Sequence, residues 1–201
     1  MSILRIPRLV VATGNAGKMR EFSVLLRGII DQFVAQSELG VEPVPETEDT
    51  FLGNALLKAR HAARVTGLPA LADDSGLEVD ALGGAPGVWS ARYAGEDADD
   101  AANNAKLLSA LHGLPAPRRA RYRAVLALVR AADDPSPLIA EGVWEGSIAL
   151  SPRGSFGFGY DPIFLVGDGM RSAAELMAEE KNQVSHRAMA LARLLELIQG
   201  R

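Results

Sequence analysis

The chain has no cysteine, so a disulfide framework, a thiol nucleophile and a thiolate metal site are all excluded. Its three histidines show no H-x₃-H spacing, which removes the usual zinc pattern. Nor is there an excess of positive charge: 21 Lys and Arg stand against 25 Asp and Glu, a formal net charge of −4. The broad cationic footprint that nucleic acid demands is therefore missing, while one local basic pocket for a small anion stays open. No stretch approaches the ~18 uninterrupted apolar residues of a membrane span. Arg5 and Arg8 interrupt any signal-peptide core in MSILRIPRLVVAT, so a cytoplasmic protein with no membrane partner is expected.

What is present is the composition of an ordinary globular domain. Of the 201 residues, 48% are hydrophobic and 23% charged, and a chain this long buries on the order of 70% of its unfolded surface. With 20 glycines and 11 prolines, it lies well below the roughly 25–30% of low-complexity chains. A single domain over residues 1–201 is expected.

Hydrophobic spacing orders the elements. Arg8 to Thr13 reads as a strand that ends at Gly14-Asn15-Ala16-Gly17, and Met19, Phe22, Leu25, Leu26 and Ile29 follow at helical spacing. A second helix is predicted from Thr50 to Val65, with Lys58, Arg60 and Arg64 on its polar side, stopping at Gly67-Leu68-Pro69. Ala70 to Ala72 is a short buried strand delivering Asp73-Asp74-Ser75-Gly76 at its end. The acidic Glu96 to Asp100 segment caps a third helix that ends near His112. Tyr122–Arg130 and Leu138–Leu150 form a predicted hairpin, and the residues from Ala174 onward are helical with an interruption near Lys181 to Ser185. Pro117 to Arg121 reads as a charged loop. The order is that of an α/β sheet.

Four constellations carry possible chemistry. Thr13-Gly14-Asn15-Ala16-Gly17-Lys18 sits where a strand meets a helix, so backbone N–H groups, helix N-terminus and Lys18 suit a phosphate; a tight turn with a solvated lysine is the alternative. It lacks the Walker A spacing. Successive strand residues point to opposite faces, so one of Asp73 and Asp74 reaches a given site while the other holds the loop; with Glu46 that site offers hard oxygens suited to Mg²⁺, which takes one or two carboxylates plus substrate phosphates, and a helix cap and solvated acidic turn is the alternative. Gly157-Phe158-Gly159-Tyr160-Asp161-Pro162 fails the dinucleotide fingerprint at Pro162, leaving an aromatic and a carboxylate fit to stack on and hydrogen-bond a nucleobase, or a turn with core aromatics. Glu179 to Arg187 holds Lys181, His186 and Arg187, donors for phosphate or base carbonyls, or a solvated helix end. Together these are the parts of a metal-dependent nucleotide enzyme.

The motifs TGNAGK (13–18), ETEDTFLGNALLKAR (46–60), LADDSGLEVDALGGAPGVWSARYAG (71–95), GFGYDPIF (157–164) and EEKNQVSHR (179–187) resemble the RdgB/HAM1 family of inosine triphosphate pyrophosphatases, in order and over nearly the whole chain. The resemblance implies an α/β fold with an elongated mixed sheet flanked by helices and two lobes around a nucleotide cleft. It also implies a Mg²⁺-dependent homodimer that hydrolyses ITP, dITP, XTP and dXTP to monophosphate and pyrophosphate. Carried over by position, it places the phosphate loop on Thr13, Asn15 and Lys18 and the metal on Glu46 and Asp74, with Glu48 and Asp49 close by. Asp74 becomes the general base, and Ser75, Phe158, Gly159, Tyr160, Asp161, Lys181, His186 and Arg187 contact the substrate. A Maf-like pyrimidine nucleotide pyrophosphatase and a nucleotide sensor without turnover are the competing readings.

Overall fold

A computed structural model describes residues 6–14, 18–19, 22, 26 and 30–200. The first strand, β1 (Ile6–Val11), begins earlier than the predicted run, and Leu9, Val10 and Val11 are all fully buried, as suits a parallel strand covered on both faces. Lys18, Met19 and Phe22 are helical; Leu25 and Ile29 lie outside the described residues. Among the described residues the remaining strands and α-helices are β2 (Ile30–Ala35), α1 (Phe51–Thr66), β3 (Ala70–Val79), α2 (Asp100–Ala110), β4 (Arg119–Val129), β5 (Leu138–Ile148), β6 (Phe164–Val166), β7 (Arg171–Ser172), α3 (Ala178–Val184) and α4 (His186–Ile198).

The strands form a seven-stranded sheet in the order β2-β1-β3-β4-β5-β6-β7. It is mixed: β1 runs parallel to β2 (Val10 opposite Val34) and to β3 (Val11 opposite Leu71), whereas β6 is antiparallel to β5 (Phe164 opposite Ile148) and to β7. The chain divides into two compact units. Met1–Asp74, Ala124–Gly142 and Arg187–Arg201 make the first, Ser75–Arg123 and Val143–His186 the second. Each has its own core. Leu9, Val11, Leu71, Leu126, Leu191 and Leu194 fill the first, and Leu77, Leu107, Tyr122, Trp144, Ile163 and Phe164 fill the second.

Local chemistry sets the elements that matter for function. Thr50 caps α1 by accepting the Gly53 N–H at 3.0 Å, and Gly67 ends the helix in the left-handed region that glycine adopts without strain. Phe51, Ala55, Ala59 and Ala62, at helical spacing, are its buried stripe. Asp99 caps α2 through the Ala102 N–H. Between β4 and β5, Asp134 receives the Arg130 guanidinium at 2.6 and 2.8 Å and the Ser136 N–H at 2.9 Å, which closes the turn.

Two sequence expectations fail. The strand from Ala70 does not stop at Ala72; it continues to Val79, so Asp73-Asp74-Ser75-Gly76 lies inside β3. Leu77 and Val79 are fully buried, and the two aspartates remain in the strand because cations from distant segments pair with them. Pro117 to Arg121 is not a charged loop. Arg118 is buried and donates to the Ile148 and Ala149 carbonyls, while Arg121, already in β4, pairs with Asp80 at 2.6 Å and with Glu145 at 3.3 Å. In the C-terminal segment the interruption narrows to Ser185, whose extended backbone separates α3 from α4.

Candidate active site

In the first unit, β3 presents its two aspartates to different cations. Asp73, with a fully buried side chain, accepts Lys18 Nζ at 2.5 Å and lies 3.4 Å from Arg187 Nε. Burial alone would raise its pKa, but the charges of Lys18 and Arg187 outweigh that and hold the carboxyl well below the usual range. Lys18 is accordingly no solvated lysine, and its ammonium pKa is pulled down by burial against the attraction of Asp73. This cluster carries two cations against one carboxylate, a local surplus that favours an anion.

Asp74 belongs to a cluster of opposite sign. Its Oδ1 is 2.9 Å from Lys58 Nζ, and the same ammonium lies 2.6 Å from Glu46 Oε1. Burial, and then the neighbouring Glu46 charge, raise the Asp74 pKa against the pull of Lys58. For Lys58, burial works to lower the pKa, and the two carboxylates reverse that and raise it. Asn54 ties the arrangement down: it donates to Asp74 Oδ2 at 3.3 Å and exchanges hydrogen bonds with the Glu48 backbone at 3.0 and 3.2 Å. Of the three acidic residues in that approach, Glu46 is the one that shares a cation with Asp74.

Lys58 and Asn54 were missed by sequence reasoning, which put Lys58 on the polar side of α1. A signal existed. Asn54 is a buried polar residue, 1% exposed, on the stripe otherwise made of Phe51 and alanines, and Lys58 follows it by four residues on the same helical face.

Two carboxylates converging on one ammonium also test the metal reading. The ammonium marks a point where both oxygens already meet, and a pair of hard oxygen donors is the set Mg²⁺ accepts when substrate phosphates complete the shell. Among the described residues no group of three or more His, Cys, Asp or Glu side chains gathers, which a site of two protein carboxylates does not require. Thr13 and Gly14 follow the end of β1, whose register is continued by the Ala12 N–H bond to the Leu71 carbonyl at 2.8 Å. Asn15, Ala16 and Gly17 lie outside the described residues.

In the second unit, the glycine-rich segment before β6 is held on all sides. Asp161, 2% exposed, accepts the Phe158 N–H at 3.0 Å, the Tyr122 hydroxyl at 3.3 Å and the Lys181 ammonium. Gly159 donates its N–H to Asp100 at 2.6 Å and accepts Asn104 Nδ2 at 2.8 Å. Tyr160 is buried in the core with its hydroxyl donated to the Ser90 carbonyl at 2.8 Å. A side chain at Gly157 would place Cβ 2.0 Å from Asp161 Oδ2. The exposed side chain of the segment is Phe158, whose ring lies 5.0 Å from Lys181 Nζ, a cation–π contact.

Beside this segment is a hollow of about 450 Å³, lined by Asp100, Asn104, Leu108, Phe156, Phe158 and Pro162. His186 is buried and lies parallel to the Tyr122 ring, 4.7 Å between centroids and 11° between planes. Ser75 is a half-buried residue of β3.

The mixed sheet and these charge clusters define a class: an α/β protein with buried carboxylates paired to lysine and arginine side chains. Residues 9–197 match the Ham1 family, and the chain belongs to that family. It is 59% identical over 192 residues to the dITP/XTP pyrophosphatase of Xylella fastidiosa, covering 95% of this chain and 96% of that one. It is 61% identical over 187 residues to the dITP/XTP pyrophosphatase of Xanthomonas campestris, covering 92% and 94%. Among solved structures, a HAM1 protein from Coxiella burnetii matches with a TM-score of 0.91 and 49% identity over 98% of this chain and all of that one. The resemblance read from the motifs and the α/β class are both borne out.

Proposed function

We propose that this chain hydrolyses the non-canonical purine nucleotides dITP and XTP, with ITP and dXTP, to monophosphate and pyrophosphate, removing them from the nucleotide pool. The observation that carries the proposal is the pair Asp73-Asp74: adjacent strand residues feed two charge clusters of opposite sign, one fit for phosphate oxygens and one for a cation that escorts them. Relatives named dITP/XTP pyrophosphatase at about 60% identity over most of the chain support the choice of substrate.

Glu46 and Asp74 would hold Mg²⁺, which when bound neutralises phosphate charge and polarises the phosphoryl oxygens. Lys18 and Arg187, held by Asp73, bind the triphosphate and offset the charge that builds as the α–β anhydride breaks. Asp74 orients the attacking water and accepts its proton, a role served by a carboxyl pKa above the ordinary value. Asn15 and the rest of the Thr13 to Gly17 loop supply phosphate-binding N–H groups. Phe158 stacks on the base, with Lys181 behind it and the loop of Gly159, Tyr160 and Asp161 keeping it in place. His186 donates to the 6-oxygen of hypoxanthine or xanthine, which adenine replaces with a donor; sites built on such a bond discriminate by ~10⁴-fold.

The protein acts in the cytoplasm as a homodimer. Among the described residues no helix is long and apolar enough to cross a membrane, and the segment around Trp89, half exposed, is the proposed dimer contact. Light scattering on the purified protein reads the dimer directly.

The activity is tested by ion-exchange analysis of products from dITP, XTP, dATP and dGTP, each with magnesium and with chelator. Monophosphate and pyrophosphate from dITP and XTP, abolished by chelator, is the expected result. Diphosphate and phosphate, or equal turnover of dATP and dITP, overturns the proposal. Binding of dITP without turnover marks a sensor instead.

A further inference from the structure

We infer that Tyr122 is a positioning residue for base recognition, its ring being the shelf on which the His186 imidazole is oriented; this rests on the proposed function, which places His186 against the purine.

Strand alternation fixes Tyr122 first. In β4, Ala120, Tyr122 and Ala124 are buried, while Arg121 and Arg123 between them point to the other face and pair with Glu78 at 3.7 and 3.8 Å. Phe164 then packs against Tyr122 at 4.5 Å with the rings tilted by 54°, and Trp144 stacks at 6.4 Å and 24°. A tyrosine clamped by two aromatics and a strand has no rotamer freedom to spare. His186 lies on it, with Trp144 a second parallel ring at 6.4 Å and 18°.

Stacking engages only the faces of an imidazole. Its nitrogen atoms lie in the ring plane, so the shelf sets the plane in which they hydrogen-bond. That plane matters because a donor serves a carbonyl oxygen only within a narrow angular range. Ser185, with extended backbone, is all that separates His186 from α3, and the stack on Tyr122 holds the plane of the His186 ring.

Tyr122 makes a second link. Its hydroxyl donates to Asp161 Oδ1 at 3.3 Å, and Asp161 Oδ2 accepts both the Phe158 N–H and Lys181. One side chain thus touches the imidazole through its face and the Phe158 loop through its hydroxyl. His186 and the Phe158 loop are the groups proposed to meet the base, so the effect is on the base and not on the phosphates.

The test compares the full chain with Tyr122→Phe, which keeps the ring, and Tyr122→Leu, which keeps an apolar filler without it. Steady-state dITP hydrolysis with magnesium gives KM and kcat, inorganic tripolyphosphate as inhibitor gives a Ki for the phosphates alone, and calorimetric titration with dIMP gives base binding without turnover. We expect Tyr122→Leu to raise KM for dITP and the dIMP Kd about tenfold with kcat within about twofold and the tripolyphosphate Ki unchanged, and Tyr122→Phe to stay within about threefold of the parent. Unchanged dIMP affinity in Tyr122→Leu, a Ki that moves in step with KM, or equal damage in both variants overturns the inference. A parent protein that binds dIMP but does not cleave dITP fails as a hydrolase, and the dIMP series alone then decides the role of Tyr122. A parent that binds no dIMP overturns both.

Discussion

Asp73 and Asp74 are consecutive residues of β3 whose carboxylates answer to different lysines, Asp73 to Lys18 at 2.5 Å and Asp74 to Lys58 at 2.9 Å. The alternation of a strand forces the separation, since neighbouring side chains leave on opposite faces. One dipeptide can therefore organise an anion site and a cation site without a loop of its own.

Asp73 is the more costly to lose. Removing one partner from a buried ion pair typically costs about 3–5 kcal/mol, because the remaining charge is left uncompensated. Asp73→Asn is expected to lower the urea midpoint at pH 7 by a corresponding amount. The pH dependence has a definite sign. The folded carboxyl pKa lies below the unfolded one, so its contribution is fully present above about pH 4 and declines as pH falls below that. The gap between parent and variant should narrow from pH 5 to pH 3 in denaturant titrations. A constant gap over that range would mean that Asp73 titrates normally.

How much of this could be read in advance depended on whether the partners were near in sequence. Thr50 and Gly67 bracket α1, Asp99 starts α2, and the hydrophobic runs of β1, β4 and β5 are visible locally, so the α/β class follows from spacing alone. The full length of β3 was not visible, because an Asp-Asp-Ser-Gly run looks like a turn until Lys18, Lys58 and Arg187 are brought to it from three separate segments. Arg118 failed for the same reason: its partners are carbonyls of Ile148 and Ala149. Lys58 was hidden because most helix lysines are solvated, and only Asn54, one turn earlier on the apolar stripe, marks that face as polar.

Lys58 lies between two carboxylates, and its removal should act on catalysis more than on folding. In Lys58→Met, Asp74 loses the charge that opposes its burial, so its pKa rises further and the acid limb of kcat/KM moves to higher pH. Turnover of dITP at neutral pH is expected to fall by about 10²-fold, the scale of a lost electrostatic contact at a reacting group. Stopped assays from pH 5 to pH 9 give both quantities. An acid limb that stays in place would separate Lys58 from Asp74 electrostatically.

Two glycines of the Phe158 loop make a matched pair of controls. Gly157 and Gly159 both have positive φ, 77° and 64°, so alanine at either position carries the backbone strain of a left-handed conformation, about 1 kcal/mol. At Gly157 the new Cβ would also meet Asp161 Oδ2 at 2.0 Å, whereas at Gly159 it meets nothing within 4 Å. Gly157→Ala should therefore displace Asp161 and raise KM for dITP by about tenfold, while Gly159→Ala changes it by no more than about threefold. Thermal melts run alongside separate this loop effect from general loss of stability. Equal KM values in the two variants would show that the Asp161 anchor does not govern the loop.

The cation site makes the last prediction, and it discriminates among three neighbouring acids. Glu46 shares Lys58 with Asp74, whereas the Glu48 backbone is bound by Asn54 and Asp49 precedes the Thr50 cap. If Mg²⁺ binds at the Glu46 and Asp74 pair, Glu46→Gln removes one of two anionic ligands while keeping its size and one carbonyl oxygen. The magnesium concentration for half-maximal dITP hydrolysis should then rise about tenfold or more, with much of the activity returning at saturating metal, since affinity rather than the reacting group is what has been weakened. Glu48→Gln and Asp49→Asn should leave the magnesium curve where it was. Asp74→Asn should differ from all three: it lacks both a ligand and the proton acceptor, so added magnesium does not restore turnover. A magnesium curve shifted by Glu48→Gln and untouched by Glu46→Gln would move the metal along the segment and detach it from Lys58.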